Sequence, residues 1–162
     1  MVLIIYMTKT GTTKKAAEII KEVFVKEEFE VEVLEISKVN AIEDYETIII
    51  GAPINGMRWL PEIASFIKKN KMILNNKNVA CFALSYIISD GRKFWKKRIN
   101  KNFENIYALV NPIETAIFGG KINKPMPILP RFIFGLSKES PLDYTDDEKI
   151  RHWSQKLIKR LK

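Results

Sequence analysis

Thr8-Lys9-Thr10-Gly11-Thr12-Thr13 follows a short apolar run, Val2 to Tyr6, and leads into Lys14 to Glu27, a segment patterned as an amphipathic helix. The order is strand, tight turn, helix. Such a turn presents hydroxyls and free backbone N–H groups at a helix N-terminus, where the helix dipole is positive, and so forms a site for a phosphate group. The simpler reading is that Thr12 or Thr13 only caps the helix.

The chemistry of the turn narrows the kind of phosphate. A nucleoside-triphosphate loop needs Gly-x-x-x-x-Gly-Lys-Ser/Thr and a dinucleotide fold needs Gly-x-Gly-x-x-Gly, whereas this turn has one glycine and four threonines. A hydroxyl-rich turn surrounds a terminal phosphate monoester with side-chain and backbone donors and requires no metal. That chemistry suits a mononucleotide such as FMN.

Outward from the turn, hydrophobic periodicity gives the elements in order. Ala16, Ile19, Ile20, Val23 and Phe24 recur at helical spacing along the first helix. Phe29, Val31 and Val33 alternate with Glu30 and Glu32, the pattern of an edge strand. Thr47 to Ala52 and Val79 to Leu84 are continuous apolar runs, as in central parallel strands covered on both faces. Pro61 opens a helix that turns Ile63, Phe66 and Ile67 inward, and Gly91 to Phe103 is a weaker helical segment. Ile113 to Phe118 is the last strand, with Ile106 to Val110 competing for the assignment. Thr145-Asp146-Asp147-Glu148 predicts a capping box before a helix with Ile150, Trp153, Leu157 and Leu161 on one face.

Strands and helices alternating at about thirty-residue intervals imply right-handed crossovers, hence a parallel sheet with helices on both faces. The expected fold is an α/β three-layer sandwich over 1–162 as a single domain, its five parallel strands in the order 2-1-3-4-5. A ligand then touches the turns after strands 1, 3 and 4. A loop insertion at about 119–142 follows the last strand, with prolines at 125, 127 and 130 and an apolar run from Ile128 to Leu136. Such a loop closes over the pocket, binds an apolar partner or covers the end of the core.

The chain has 162 residues and is 46% apolar and 28% charged, an ordinary globular composition. No run reaches the length of a membrane span, and the first apolar run is too short for a signal peptide, so a cytoplasmic protein is expected. One histidine, His152, and one cysteine, Cys81, are too few for an ordinary zinc site. No metal site and no catalytic residue are assigned; packing is the expected role of Cys81. The net charge of +8 attracts acidic partners. The segment from Arg92 to Lys101, with Phe94 and Trp95 interleaved, is the basic cluster best suited to nucleic acid.

Thr8-Lys9-Thr10-Gly11-Thr12-Thr13 resembles the Ser/Thr-x-Thr-Gly-x-Thr phosphate loop of flavodoxins, in the same place after the first strand. The resemblance implies a flavodoxin-like fold and FMN as cofactor, with the phosphate held by Thr8, Lys9, Thr10, Gly11, Thr12 and Thr13. It also implies that Pro53, Ile54, Asn55, Gly56, Met57 and Arg58 flank the flavin ring on one side and Ser85, Tyr86 and Ile87 on the other. Asn55-Gly56 is the expected peptide switch, Trp59 or Met57 a candidate ring contact, and Tyr86 a candidate stacking residue. Gly51-Ala52-Pro53-Ile54 leading to Phe66 through Asn70, Phe118-Gly119-Gly120, and Asp143-Tyr144-Thr145-Asp146 resemble the flavodoxin-domain group that includes menaquinone-dependent protoporphyrinogen dehydrogenases.

Three readings follow. The resemblance implies an FMN-dependent oxidoreductase acting on an anionic, apolar tetrapyrrole or quinone, with membrane-surface contact. The alternative is a flavodoxin carrying single electrons to a redox partner protein. A non-catalytic module using its lysines on nucleic acid is the third, and the intact phosphate turn argues against it. Low-potential flavodoxins are acidic, so Arg58 and the basic background here are expected to favour the anionic reduced flavin.

Overall fold

The computed structural model describes residues 1–55 and 58–162. Its sheet contains parallel strands β1 (Val2–Tyr6), β2 (Val31–Glu35), β3 (Thr47–Asn55), β5 (Asn78–Ser85) and β6 (Glu114–Gly119), in the order β2-β1-β3-β5-β6. β4 (Arg58–Trp59) stands off this path and pairs antiparallel with the end of β3. With that hairpin strand set apart, the order is the expected 2-1-3-4-5. β1 pairs on both sides, Val2 with Val31 of β2 and with Thr47 of β3.

The continuous apolar runs form central strands because alternate residues enter two separate cores. Val2, Ile4 and Tyr6 of β1, with Ala80, Phe82 and Leu84 of β5, pack beneath α1 (Thr12–Lys26) and α7 (Asp147–Leu161). Leu3 and Ile5, with Val79, Cys81 and Ala83, face the opposite core, which also holds Ile63 and Ile67 of α2 (Pro61–Lys69), Leu74 of α3 (Lys71–Leu74) and Phe103 of α5 (Lys93–Tyr107). A strand buried on both faces has no polar position to alternate, which is why these runs read as unbroken. β2 is half-exposed at its edge, as its alternating glutamates require.

Cys81 is fully buried, and burial pushes its thiol well above the ordinary range, so it serves as a packing residue. His152 is exposed on α7. No helix among the described residues is long and apolar enough to cross a membrane.

Three local expectations are corrected and one open alternative is decided. Pro53, Ile54 and Asn55 extend β3 instead of forming a turn, because Ile54 pairs with Trp59 and Asn55 with Arg58. Ser85 ends β5, and Tyr86 and Ile87 begin a short helix, α4 (Tyr86–Asp90), where a loop is expected. α7 starts later than the capping-box pattern implies: Asp146 is the N-cap and accepts from the Lys149 N–H at 3.1 Å, while Thr145 donates to Asp143. Ile106 lies in α5, so the competing strand assignment falls away.

The insertion is ordered by contacts to the rest of the fold. Its two limbs meet beyond β6, where Ile122 N–H donates to Leu142 O at 2.9 Å and Tyr144 N–H to Gly120 O at 3.1 Å. Between the limbs, α6 (Ile128–Phe134) sits against the start of α5, with Arg92 N–H donating to Phe134 O at 2.9 Å and Trp95 Nε1 to Ile133 O at 2.8 Å.

Candidate functional site

The turn between β1 and α1, where a phosphate is expected, is built from the backbone outward. Gly11 is the N-cap of α1 in the left-handed conformation, φ 83°, which an L side chain rarely adopts. Its N–H donates to Thr8 Oγ1 at 3.0 Å, closing the turn, and its carbonyl accepts from Lys15 N–H at 3.0 Å, starting the helix. No side chain caps α1 and no acidic residue lies in its first turn. The threonines therefore do not act as caps, and the first N–H groups of α1 have no intrahelical acceptor.

Two further observations fit an anion there. Thr10 Oγ1 and Thr12 Oγ1 lie 2.9 Å apart, so one hydroxyl hydrogen is used between them and the second is left to donate outward. The Thr13 hydroxyl is fully buried and has no hydrogen-bond partner among the described residues. A buried hydroxyl left unpaired is costly, and a phosphate oxygen would relieve that cost.

From the turn a cavity of about 260 Å³ runs across the ends of the strands, lined by Lys9, Thr10 and Thr12, by Pro53, Ile54 and Asn55, and by Leu84, Tyr86 and Gly120 to Asn123. A second cavity of about 240 Å³ shares Ile54, Asn55, Tyr86 and Ile122 with the first and adds Ser85, Ile87, Ile99, Met126 and Phe134. One end is therefore hydroxyl- and lysine-lined and the other apolar, which matches a phosphate monoester carrying a planar, largely apolar ring. The residues present fit FMN.

Most of the expected site residues come together here. Lys9, Thr10, Thr12, Pro53, Ile54, Asn55, Ser85, Tyr86 and Ile87 line the two cavities, and Thr8, Gly11 and Thr13 frame the turn. Arg58 is exposed opposite Asn55 and lines neither cavity. Gly56 and Met57 lie outside the described residues.

Trp59 departs from expectation. Its side chain is buried, its indole N–H donates to Ala52 O at 3.0 Å, and its ring meets Phe103 edge-on at 4.9 Å. It therefore belongs to the core and cannot stack on a ligand. Trp59→Phe is expected to cost about 1 kcal/mol for the lost hydrogen bond and to leave FMN affinity unchanged. Denaturant unfolding beside a flavin titration checks this; weakened flavin binding at unchanged stability would restore Trp59 to the site.

The insertion contributes walls that periodicity and motif reading missed: Ile122, Met126 and Phe134. The apolar character of the insertion was the available signal, yet it did not distinguish the inward chains from the outward ones. Phe134 lines the cavity and Leu136 is buried, whereas Phe132 and Ile133 are exposed.

Tyr86 joins the cavities to this segment. Its hydroxyl donates to Pro141 O at 2.9 Å and its ring lies 5.2 Å from Tyr144, while Ser140 Oγ and Tyr144 OH donate to Asp90 Oδ2 at 2.5 and 3.0 Å. Those two donors, Ser140 first, hold the Asp90 carboxyl below the usual range. A carboxylate with a depressed folded pKa contributes its stabilisation above the unfolded value and loses it as the pH falls through the folded one. The tie is therefore intact at neutral pH. Burial raises the Tyr86 hydroxyl further above neutrality, with Tyr144 and Asp90 acting in the same direction, so it remains a donor.

A larger depression of about 730 Å³ lies between the end of β6 and the start of α7. Asp146, Asp147 and Glu148 on its rim give it the wrong sign for a phosphate.

A family model described as a flavodoxin domain matches residues 3–146. No curated protein sequence matches the chain. Among solved structures, rubredoxin oxygen:oxidoreductase from the anaerobe Desulfovibrio gigas is similar at 18% identity and a TM-score of 0.65, over 99% of this chain and 35% of that one. This chain thus spans about a third of that protein. The two-electron reduced flavodoxin of Megasphaera elsdenii is 18% identical with a TM-score of 0.59, over 96% and 99% of the two chains. A flavoprotein in complex with FMN from Lactobacillus acidophilus is 20% identical with a TM-score of 0.51, over 72% and 91%.

Proposed function

The chain belongs to the flavodoxin-domain family, and from that premise we propose that it is an FMN-dependent oxidoreductase of the protoporphyrinogen-dehydrogenase type, acting on an anionic, apolar tetrapyrrole or quinone. As a flavodoxin-domain protein it binds FMN and takes part in redox chemistry. The observation that carries the finer reading is the apolar cavity beside the phosphate turn, walled by Ile54, Ile87, Ile99, Ile122, Met126 and Phe134. Three of those residues come from the insertion, which gives the site an apolar surface that the phosphate turn alone does not need.

Bound FMN supplies hydride or single-electron transfer. The residues of the chain bind and orient it. Thr8 and Gly11 shape the turn, Thr10, Thr12 and Thr13 supply hydroxyls, and the free end of α1 supplies N–H donors and a positive dipole. Ile54, Ile87 and Phe134 exclude water from the apolar end, and Tyr86 closes the boundary between the two cavities with its hydroxyl anchored on Pro141.

A second reading has its own support. Neither cavity wall carries a carboxylate or an imidazole among the described residues. A one-electron carrier needs no proton-transfer side chain, so this favours a flavodoxin passing electrons to a redox partner protein. An anaerobic reductive titration of the FMN-loaded protein, followed in the visible spectrum, separates the two. A single two-electron reduction supports the dehydrogenase reading and makes tetrapyrroles and quinones the next assays; two resolved one-electron steps favour the carrier. Failure to retain flavin, combined with salt-sensitive nucleic-acid binding, would overturn both.

The same titration tests the charge argument. Arg58, exposed on β4 opposite Asn55, and the net charge of +8 are expected to make the couple to the fully reduced, anionic flavin less negative than in an acidic flavodoxin. Each tenfold change in relative affinity for the two redox forms moves a one-electron potential by about 59 mV, and Arg58→Glu is expected to lower it by roughly 20–60 mV. An unchanged potential would remove Arg58 from the argument.

A further inference from the structure

We propose that α6, together with Phe94 at the start of α5, docks this protein on an anionic lipid bilayer. Exposed large apolar residues are concentrated there. Of the nine such side chains among the described residues, five are Phe94, Ile128, Leu129, Phe132 and Ile133. Ile128 is 77% exposed, Phe132 70%, Leu129 69% and Phe94 63%. Isolated exposed apolar residues are ordinary, but a cluster of this kind marks an interaction surface.

The patch is tied to the body of the fold. Trp95 ties the two elements together: its indole N–H donates to Ile133 O, its ring lies 5.4 Å from that of Phe134, and Phe94 packs on it edge-on at 4.9 Å. The Arg92 guanidinium lies 5.4 Å from the Phe132 ring centre. Because Phe94 and Phe132 are held by these contacts, little ordering of the two rings is lost on docking. None of Phe94, Ile128, Leu129 and Phe132 lines the cavities described above. They point to a partner that accepts protruding chains without offering a shaped pocket, as the headgroup and acyl boundary of a bilayer does.

The charge around the patch selects the partner. Residues 91–103 contain six Lys or Arg and no Asp or Glu, and residues 115–138 contain four and none. The apolar residues thus lie in two stretches whose own charges are all positive, with the Arg92 guanidinium against Phe132 and with Asp90, Glu104, Glu114 and Glu139 just outside them; that balance complements anionic headgroups, and each Lys or Arg near such a surface adds attraction. Long basic side chains also keep their charge in water while their stems lie along the apolar layer. The same insertion supplies Ile122, Met126 and Phe134 to the apolar cavity, so docking brings that cavity towards the lipid. The docking itself does not rest on the redox reading, since FMN is not part of the patch.

Vesicle flotation tests the proposal, using vesicles of equal parts phosphatidylglycerol and phosphatidylcholine beside vesicles of phosphatidylcholine alone. The FMN-loaded protein is expected to float with the anionic vesicles and not with the neutral ones, and to be released at about 0.5 M salt. Leu129→Ser with Phe132→Ser is expected to lower partitioning at least roughly tenfold. FMN stoichiometry and circular dichroism should stay unchanged, because both side chains are exposed. Phe132→Trp should retain binding, with a blue shift in emission when vesicles are added. A parent protein that stays in solution with both vesicle types, or a serine double variant that floats as well as the parent, overturns the proposal. A patch that instead joins two copies of the chain would appear as a dimer that the serine variant converts to monomer, again without flotation.

Discussion

Thr10→Ala combined with Thr12→Ala is expected to weaken FMN binding by roughly two orders of magnitude. A hydrogen bond to a charged group contributes about 1.5–3 kcal/mol, and each 1.4 kcal/mol is a factor of ten in affinity. Both hydroxyls donate to a bound phosphate only by giving up the bond between them, which offsets part of two full contributions. Thr10 is exposed and Thr12 half-buried, and water competes for the phosphate, so the lower end applies. The same exposure protects the fold: α1 starts at Gly11 without a side-chain cap, and neither hydroxyl is needed to begin the helix. Flavin fluorescence titration measures the affinity, and riboflavin serves as the internal control because it lacks the phosphate. FMN should lose affinity while riboflavin does not. Equal losses for the two ligands would point to a general disturbance of the pocket, and unchanged FMN affinity would refute the role of the turn.

Gly119→Ala is expected to produce the largest loss of stability, about 2–3 kcal/mol, equivalent to a fall in melting temperature of roughly 5–10 °C for a chain of this size. A Cβ at Gly119 would lie 2.1 Å from the Tyr144 carbonyl oxygen and 2.8 Å from its carbon. Those are backbone atoms and cannot swing aside like the end of a side chain. They are also fixed, because Tyr144 N–H is bonded to Gly120 O and its hydroxyl to Asp90. Relief requires β6 and the limb before α7 to separate, which would disturb Gly120 and Tyr86 in the cavity wall, so FMN affinity should fall as well. Gly11→Ala is the contrast: apart from its chain neighbours, no atom of the described residues lies within 4 Å of its added Cβ, and its cost arises from φ. It should destabilise by about 1 kcal/mol. Thermal unfolding followed by circular dichroism checks both. A melting temperature within a degree of the parent's for Gly119→Ala would show that β6 and residue 144 are not packed as closely as described.

The two stability tests and the flavin test concern different ranges of information in the chain. Gly11, Thr8 and Thr10 lie within a few residues of one another, and their turn is shaped by bonds between near neighbours, so it could be read directly. Gly119 and Tyr144 are joined only through the folded insertion. The glycine pair was visible in the sequence, but the atoms that require it were not.

The sequence by itself determined the order of the five parallel strands, the two-faced burial of β3 and β5, the edge position of β2, and the threonine-rich turn between β1 and α1. All of these depend on periodicity or on contacts spanning a few residues, and each residue type carries its preference locally. Tertiary structure alone decided the rest. Asn55 became strand because Arg58 pairs with it. Trp59 entered the core because Phe103 and the Ala52 carbonyl await it there. Asp146, not Thr145, capped the last helix because Thr145 was already engaged by Asp143. Along the insertion, neighbouring apolar residues were divided between cavity wall and solvent by the position of α5. An apolar side chain records that it favours burial, but which surface accepts it is fixed by elements distant in sequence.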